Sequence, residues 1–248
     1  MERDFSNIIV GRNAVLEALK SGRAADSLYI AASQGSHTLS SILKECKKRG
    51  IPVKKSDARK LDEMSGGAVH QGVLLTISAA EYSTLDDVFS LAESRGENPL
   101  IVVCDGIEDP HNLGAIIRSA ESAGAHGVII PKRRSVGLSP TVAKAACGAL
   151  EYIPVCRVTN ITAAIDELKA RGVWVYAADM GGVPVYNEEL KGPAALVIGG
   201  EGDGISRLVK EHCDVTVSIP MAGKIESLNA SVAAGVILFE IKRQRDMA

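Results

Sequence analysis

No apolar run in this 248-residue sequence is long enough to cross a membrane. The longest uninterrupted stretches, AALVI at 194–198 and VAAGVILF at 232–239, fall well short of the ~18 residues a spanning helix needs. The start, MERDF, carries two acids and no apolar region, which argues against a secretory peptide and for a cytoplasmic protein. Cysteine is equally uninformative as a framework. The five thiols (Cys46, Cys104, Cys147, Cys156, Cys213) are odd in number, contain no C-x-x-C pair and sit mostly in apolar patterns, so buried thiols are expected rather than disulfides or ligands. None of the five histidines has ligand spacing to them, which excludes a recognisable metal site. Aromatics are scarce, at 4%, yet 46% of residues are apolar, so the core must be built from Ala, Val, Leu and Ile.

Net charge is also nearly absent, at −2, which argues against indiscriminate nucleic-acid binding. That balance hides an asymmetry. Residues 1–75 carry 12 Lys and Arg against 8 Asp and Glu, while the remainder carries 16 against 22. The excess concentrates in KECKKRGIPVKKSDARK, 44–60, which suits either phosphate contacts or a solvated helix face and loop.

Periodicity divides the chain into three parts. Residues 1–78 alternate short helical and strand patterns: helices at 13–20, 38–49 and 58–64, strands at 27–31, 53–55 and 69–78. Residues 79–98 are acidic and polar, with one helix near 85–94, and read as a linker. From residue 99 to 248 the pattern is regular. Strands are expected at 100–104, 127–130, 155–158, 173–178, 194–198 and 215–219, and helices at 113–123, 140–149, 161–171, 205–212 and 228–245. Near-continuous Val/Ile strands between amphipathic helices define an α/β fold with a parallel sheet covered on both faces. Ligands of such sheets sit beyond the carboxyl ends of strands, so the informative loops follow Cys104, Ile198 and Ile219.

The first loop reads DGIEDPHNLGAIIRSAESAG, 105–124. Asn112 suits a helix cap, and Asn112 and Arg118 are expected on one helix face, aimed at a ligand; a capping Asn and a solvent-exposed Arg are the plain alternative. The second, GGEGDG at 199–204, has the glycines of a phosphate cradle but no G-x-G-x-x-G register and no G-K-[ST]. Its acids, Glu201 and Asp203, suit a cationic reactive centre better, and a tight structural turn suits the glycines equally. The third, IPMAGKIESLNAS at 219–231, is long and polar for a turn. Ser227 is expected to cap the last helix and Asn229 to lie in its first turn, while backbone groups of Ile219, Met221 and Leu228 form a slot for a flat heterocycle. An adenine slot, an acid for a cation and an Arg–Asn pair for an oxygen nucleophile together fit S-adenosylmethionine.

The stretches DPHNLGAIIRSAESAG, LVIGGEGDGIS and IPMAGKIESLNASVAAGVILFE resemble the three signature motifs of the SPOUT methyltransferases, within them the TrmH group of RNA ribose 2′-O-methyltransferases. GRNAVLEAL and GAVHQGV, near the two ends of the first domain, are similar to a substrate-recognition domain shaped like kink-turn-binding ribosomal proteins. The resemblance spans essentially the whole chain and points to the type that methylates a guanosine ribose in 23S ribosomal RNA. It implies a SPOUT catalytic domain with a deep trefoil knot at 99–248, an RNA-binding domain at 1–78, and a homodimer formed through the knotted region. It also implies RNA as partner, with no DNA and no membrane, and Arg118 of one subunit placed near the cofactor of the other.

On that resemblance the catalytic residues are Arg118, Asn112, Glu201, Ser227 and Asn229. The cofactor is held at Gly199, Gly200, Gly202, Ile219, Met221 and Leu228, and RNA is met by Arg12, Asn13, Lys132 and Arg133. A guanidinium is a poor proton acceptor near neutral pH, so Arg118 is expected to stabilise charge rather than act as a base. Two alternatives stay open: transfer RNA as substrate, and a catalytically silent RNA-binding or ribosome-assembly factor.

Overall fold

A computed structural model describes residues 7–31 and 37–247, so the MERDF start lies outside the described residues. The chain forms two compact units, Met1–Glu81 with Gly137–Pro140, and Tyr82–Val136 with Thr141–Ala248.

In the first unit the elements are β1 (Ile8–Val10), α1 (Arg12–Lys20), β2 (Ala25–Ala31), α2 (His37–Arg49), β3 (Val53–Ser56), α3 (Ala58–Met64) and β4 (Val73–Ile77). Its sheet has the order β1-β4-β2-β3, with β4 antiparallel to both neighbours and β3 parallel to β2. Alternation along the strands sorts the side chains by face. Leu28, Val73 and Leu75 meet Val15 and Leu19 of α1 and Leu39 and Ile42 of α2, whereas Leu74 meets Leu61 of α3 on the other face. The strand expected from residue 69 begins only at Val73. Gln71 and Gly72 both take positive φ (51° and 78°) and make a turn there. The three-residue β1 was not foreseen, being too short to show a period.

The second unit holds α4 (Leu85–Arg95), β5 (Leu100–Asp105), α5 (Pro110–Ser122), β6 (Gly127–Pro131), α6 (Pro140–Ala146), β7 (Val155–Val158), α7 (Ile161–Ala170), β8 (Trp174–Pro184), β9 (Ala194–Gly199), α8 (Arg207–His212), β10 (Val215–Ser218) and α9 (Ala230–Asp246). All six strands are parallel, in the order β10-β8-β9-β5-β6-β7. Ile101, Val103, Ile129, Ala195 and Val197 fill one core with Ile165 and Leu168 of α7, which is why these strands read as unbroken apolar runs.

Part of the stretch read as a linker is built into this unit. Thr84 and Asp87 form a reciprocal capping box at the start of α4, and Val88 is fully buried in the core just named. β8 is also longer than the expected 173–178. It pairs with β9 as far as Ala178↔Ile198 and with β10 at Thr216↔Ala177, and then the β10 register jumps to Val217↔Val183. Residues 178 to 182 therefore fall opposite no residue in the β10 register and form an excursion on that side, while Ala178 still pairs with Ile198 of β9. Gly182 lets it close, because a Cβ there would fall on the backbone of Thr216 and Val217.

Candidate active site

The three loops singled out from the sequence meet at the carboxyl end of the parallel sheet, where β10, β8, β9 and β5 end side by side. In the first loop Asp109, not Asn112, caps α5, accepting from the backbone N–H groups of His111 (2.8 Å) and Asn112 (2.9 Å). The Asn112 amide is thereby released for other work. Its Nδ2 donates to Glu201 Oε1 (2.8 Å), and its Oδ1 accepts from Asn229 Nδ2 (3.0 Å).

The second loop is shaped by its own backbone. Gly200 N–H donates to the carbonyl of Asp105 (2.9 Å), Gly204 N–H donates to the carbonyl of Gly200 (3.1 Å), and Ser206 N–H donates to Asp105 Oδ2 (2.8 Å). A Cβ at 199 would collide with the backbone of Gly204 and Ile205, and one at 200 with the carbonyl of Gly106. These glycines serve close approach, and the closed loop presents the Glu201 carboxylate outward.

The third loop runs from Ile219 to Asn229 without helix or strand, with residues 220–229 exposed. Asn229, rather than Ser227, caps α9: its Oδ1 accepts from the N–H groups of Ser231 (3.0 Å) and Val232 (3.3 Å). The same side chain turns its Nδ2 toward Glu201 Oε1 (2.7 Å). One asparagine thus orders a helix terminus and ties two loops together, and α9 begins at Ala230 rather than Leu228.

Below the Asn112–Glu201–Asn229 cluster lies a cavity of about 420 Å³, within the range of small-molecule sites. Its lining includes every residue expected to hold the cofactor (Gly199, Gly200, Gly202, Ile219, Met221 and Leu228), together with Glu201, Ser227 and Asn229. Apolar walls come from Ile198, Val217, Ala233 and Ile237. At the end of β5 burial pushes the Cys104 thiol up to about 12, so it is inert filling and not a nucleophile.

Arg118 lies apart from this cluster. It is exposed, and its Nη1 sits 3.5 Å from Cys147 Sγ. Six residues at 3.6 per turn separate positions 112 and 118 by about 240°, so the two side chains do not share a face as expected. Cys147 is itself an exception to the expectation of buried thiols, since it leaves the end of α6 with φ 49° and is exposed.

Sequence reasoning missed Ala178, Asp179 and Met180, which line the cavity from the excursion within β8. The carboxyl-end rule that selected the other three loops would have selected this one too. The expected RNA contacts lie outside the cavity lining. Arg12 is bound to the β4 turn, its N–H on Gln71 Oε1 (3.0 Å) and its Nε on the Gln71 carbonyl (3.1 Å), and Asn13 beside it is exposed. Lys132 and the exposed Arg133 follow β6.

A cavity at the carboxyl end of a parallel sheet, lined by Glu201 and Asn229, is where a protein of this architecture binds a small molecule. The chain belongs to the SpoU rRNA methylase family, whose profile matches residues 99–239, and residues 8–83 match the profile for RNA 2′-O ribose methyltransferase substrate binding. It is 47% identical over 239 residues to a Bacillus subtilis (strain 168) protein provisionally named the TrmH family tRNA/rRNA methyltransferase YacO, covering 96% of each chain. It is 44% identical over 245 residues to the 23S rRNA (guanosine-2′-O-)-methyltransferase RlmB of Ralstonia nicotianae (strain ATCC BAA-1114 / GMI1000), covering 98% of this chain and 97% of the other. Among solved structures, the SpoU methyltransferase AviRb from Streptomyces viridochromogenes in complex with AdoMet is similar at a TM-score of 0.63 and 26% identity, over 97% of this chain and 91% of that one.

Proposed function

We propose that this chain transfers a methyl group from S-adenosylmethionine to the ribose 2′-hydroxyl of a guanosine in 23S ribosomal RNA. The observation that carries the reading is the hydrogen-bonded cluster of Asn112, Glu201 and Asn229, whose last two members line a cavity of about 420 Å³ with apolar walls. The donor set fits the cofactor. Apolar walls suit adenosine, and the only charged member of the cluster is an acid, the complement of a sulfonium. The bound cofactor supplies an electrophilic methyl. Transfer of that methyl to the ribose 2′-oxygen would give a 2′-O-methyl ribose, S-adenosylhomocysteine and a proton.

The protein's part is to place that oxygen and to stabilise the charge it develops. Asn112 orients the acceptor ribose. Glu201 holds the two amides in register and faces the cation, and Ser227 and Asn229 complete the pocket wall. Arg118 stabilises the forming alkoxide and anchors phosphate. Its separation from the cluster within one chain supports a homodimer in which the partner subunit's Arg118 completes the site. Val232 and Phe239, half-exposed and two turns apart on α9, supply the apolar face such a dimer needs. The trefoil knot and a cytoplasmic location belong to the same reading.

RNA is met by Arg12 and Asn13 on the first unit and by Lys132 and Arg133 on the second. Lys54 and Lys55 on the exposed edge strand β3, with Lys47 and Lys48 at the end of α2, supply further phosphate contacts. The test is methyl incorporation from labelled cofactor into purified ribosomal and transfer RNA, followed by nucleoside analysis. 2′-O-methylguanosine in 23S RNA is expected; label in transfer RNA alone would overturn the substrate. Arg118→Ala should abolish transfer while leaving cofactor affinity within about twofold, and transfer retained at the wild-type rate would remove Arg118 from the chemistry.

A further inference from the structure

The sheet order offers a ruler along the cavity. Neighbouring strands lie about 4.8 Å apart, and the four strands that end at the site run β10, β8, β9, β5. β10 leads into the Ile219 slot proposed for adenine, β9 leads to Glu201, which faces the sulfonium, and β5 leads through α5 to Asn112, which faces the acceptor. In S-adenosylmethionine the ribose joins adenine to the sulfonium arm, so it must fall opposite the strand between them. That strand is β8.

At this position the β10 register skips residues 178 to 182 of β8, and Ala178, Asp179 and Met180 line the cavity wall. Asp179 is the charged side chain among them. The other lining acids are placed elsewhere: Glu201 is engaged by Asn112 and Asn229, and Glu226 lies on the exposed third loop. The Asp179 carboxylate is half-buried and held in place, with Oδ2 paired to Lys210 of α8 and Oδ1 accepting the N–H of Met180 (2.7 Å). A carboxylate offers about four acceptor positions, so two remain for a ligand.

We infer that Asp179, aimed into the cavity by the β8 excursion and anchored by Lys210, accepts the vicinal hydroxyls of the cofactor's adenosine ribose. The inference rests on the cofactor assignment above and extends it to a specificity-determining residue. A pair of hydroxyls is what a fixed carboxylate reads best, and loss of such charge-assisted bonds weakens binding about 10- to 100-fold.

The experiment is calorimetric binding of S-adenosylhomocysteine and of its 2′-deoxy and 3′-deoxy analogues. The wild-type chain should bind at least one deoxy analogue about tenfold or more weakly than the parent. Asp179→Ala should bind parent and analogues alike, and Asp179→Asn, which keeps one acceptor oxygen, should fall between. Lys210→Met should weaken the discrimination without abolishing it, because Lys210 steadies the carboxylate while Asp179 makes the contact. Equal binding of parent and both analogues by the wild-type chain would overturn the inference without any variant, as would an undiminished penalty in Asp179→Ala. Absence of any S-adenosylhomocysteine binding by the wild-type chain would overturn the cofactor assignment and this inference together.

Discussion

Two loops at the same cavity are built on opposite principles. The loop from Gly199 to Ser206 is closed by two backbone–backbone hydrogen bonds and one from Ser206 N–H to the Asp105 carboxylate, and packed so tightly that two of its glycines have no room for a Cβ. The loop from Ile219 to Asn229 is exposed along nearly its whole length and tied down at its last residue, by the Asn229 side chain. The first can hold the Glu201 carboxylate at a fixed place before any ligand arrives. The second has the freedom to admit a ligand and settle over it. A site that must expose a cavity and then exclude water needs one of each.

The sharpest way to break this contrast is Gly199→Ala. The new Cβ meets backbone, which has nowhere to rotate, so overpacking should cost about 3 kcal/mol and lower the melting temperature by roughly 10 °C. Loss of S-adenosylhomocysteine binding by calorimetry should accompany it. A variant that melts and binds as the parent does would mean that this loop yields easily, and the contrast would vanish.

Asn229 sits where the two loops meet, and two substitutions separate its duties. Asn229→Ala removes the cap of α9 and should cost about 1 kcal/mol, a drop of some 2–4 °C. Asn229→Asp keeps the cap, so its loss of stability is confined to the exposed repulsion with Glu201 and should stay within about 1 kcal/mol. It replaces the donor on Glu201 by a second carboxylate, however, and methyl transfer should fall severely. If the Asp variant transfers normally, the cluster of Asn112, Glu201 and Asn229 is scaffolding alone.

Acid should weaken the rigid side through β5, the strand whose far end anchors Gly200. Its first residue, Leu100, donates its N–H to Nδ1 of the fully buried His126 (3.0 Å), whose Nε2 lies 3.0 Å from Glu97. Burial holds the His126 pKa below the usual 6.5. The unfolded chain therefore binds a proton that the folded chain refuses, so this contribution is complete above about pH 6.5 and is lost as pH falls below it. The urea midpoint should decline between pH 7.5 and 5.5, and less so in His126→Asn. A midpoint equally pH-dependent in that variant would place the effect elsewhere.

Much of this arrangement was legible in the residues, for physical reasons. Strands buried on both faces advertise themselves as unbroken Val/Ile runs, and loops that carry chemistry cannot hide Asn, Glu and Gly among them. What stayed hidden is what depends on a distant partner. The excursion of β8 exists only relative to β10, so AADMGG read as a strand end and Asp179 went unnoticed. Asp109 precedes a proline and caps α5, whereas the amide of Asn112, an equally good capping residue by type, is spent on Glu201, 89 positions away. The facing of Arg118 is fixed by the 3.6-residue period, which turns it about 240° from Asn112.

The gentlest test comes from the open loop. A Cβ at position 223 would have only the Ile225 nitrogen near it, at 4.0 Å, and Gly223 has no positive φ that a side chain would strain. Gly223→Ala should therefore leave the melting temperature unchanged or raise it by the equivalent of up to ~1 kcal/mol, since the unfolded chain loses freedom that the folded loop does not need. Affinity for S-adenosylhomocysteine should stay within about twofold. Placed beside Gly199→Ala, the same chemical change of one methyl group then gives a large loss in one loop and almost none in the other. A Gly223→Ala loss as large as that at Gly199 would show the third loop to be packed as tightly as the second, and the division of labour between holding and admitting would have to be abandoned.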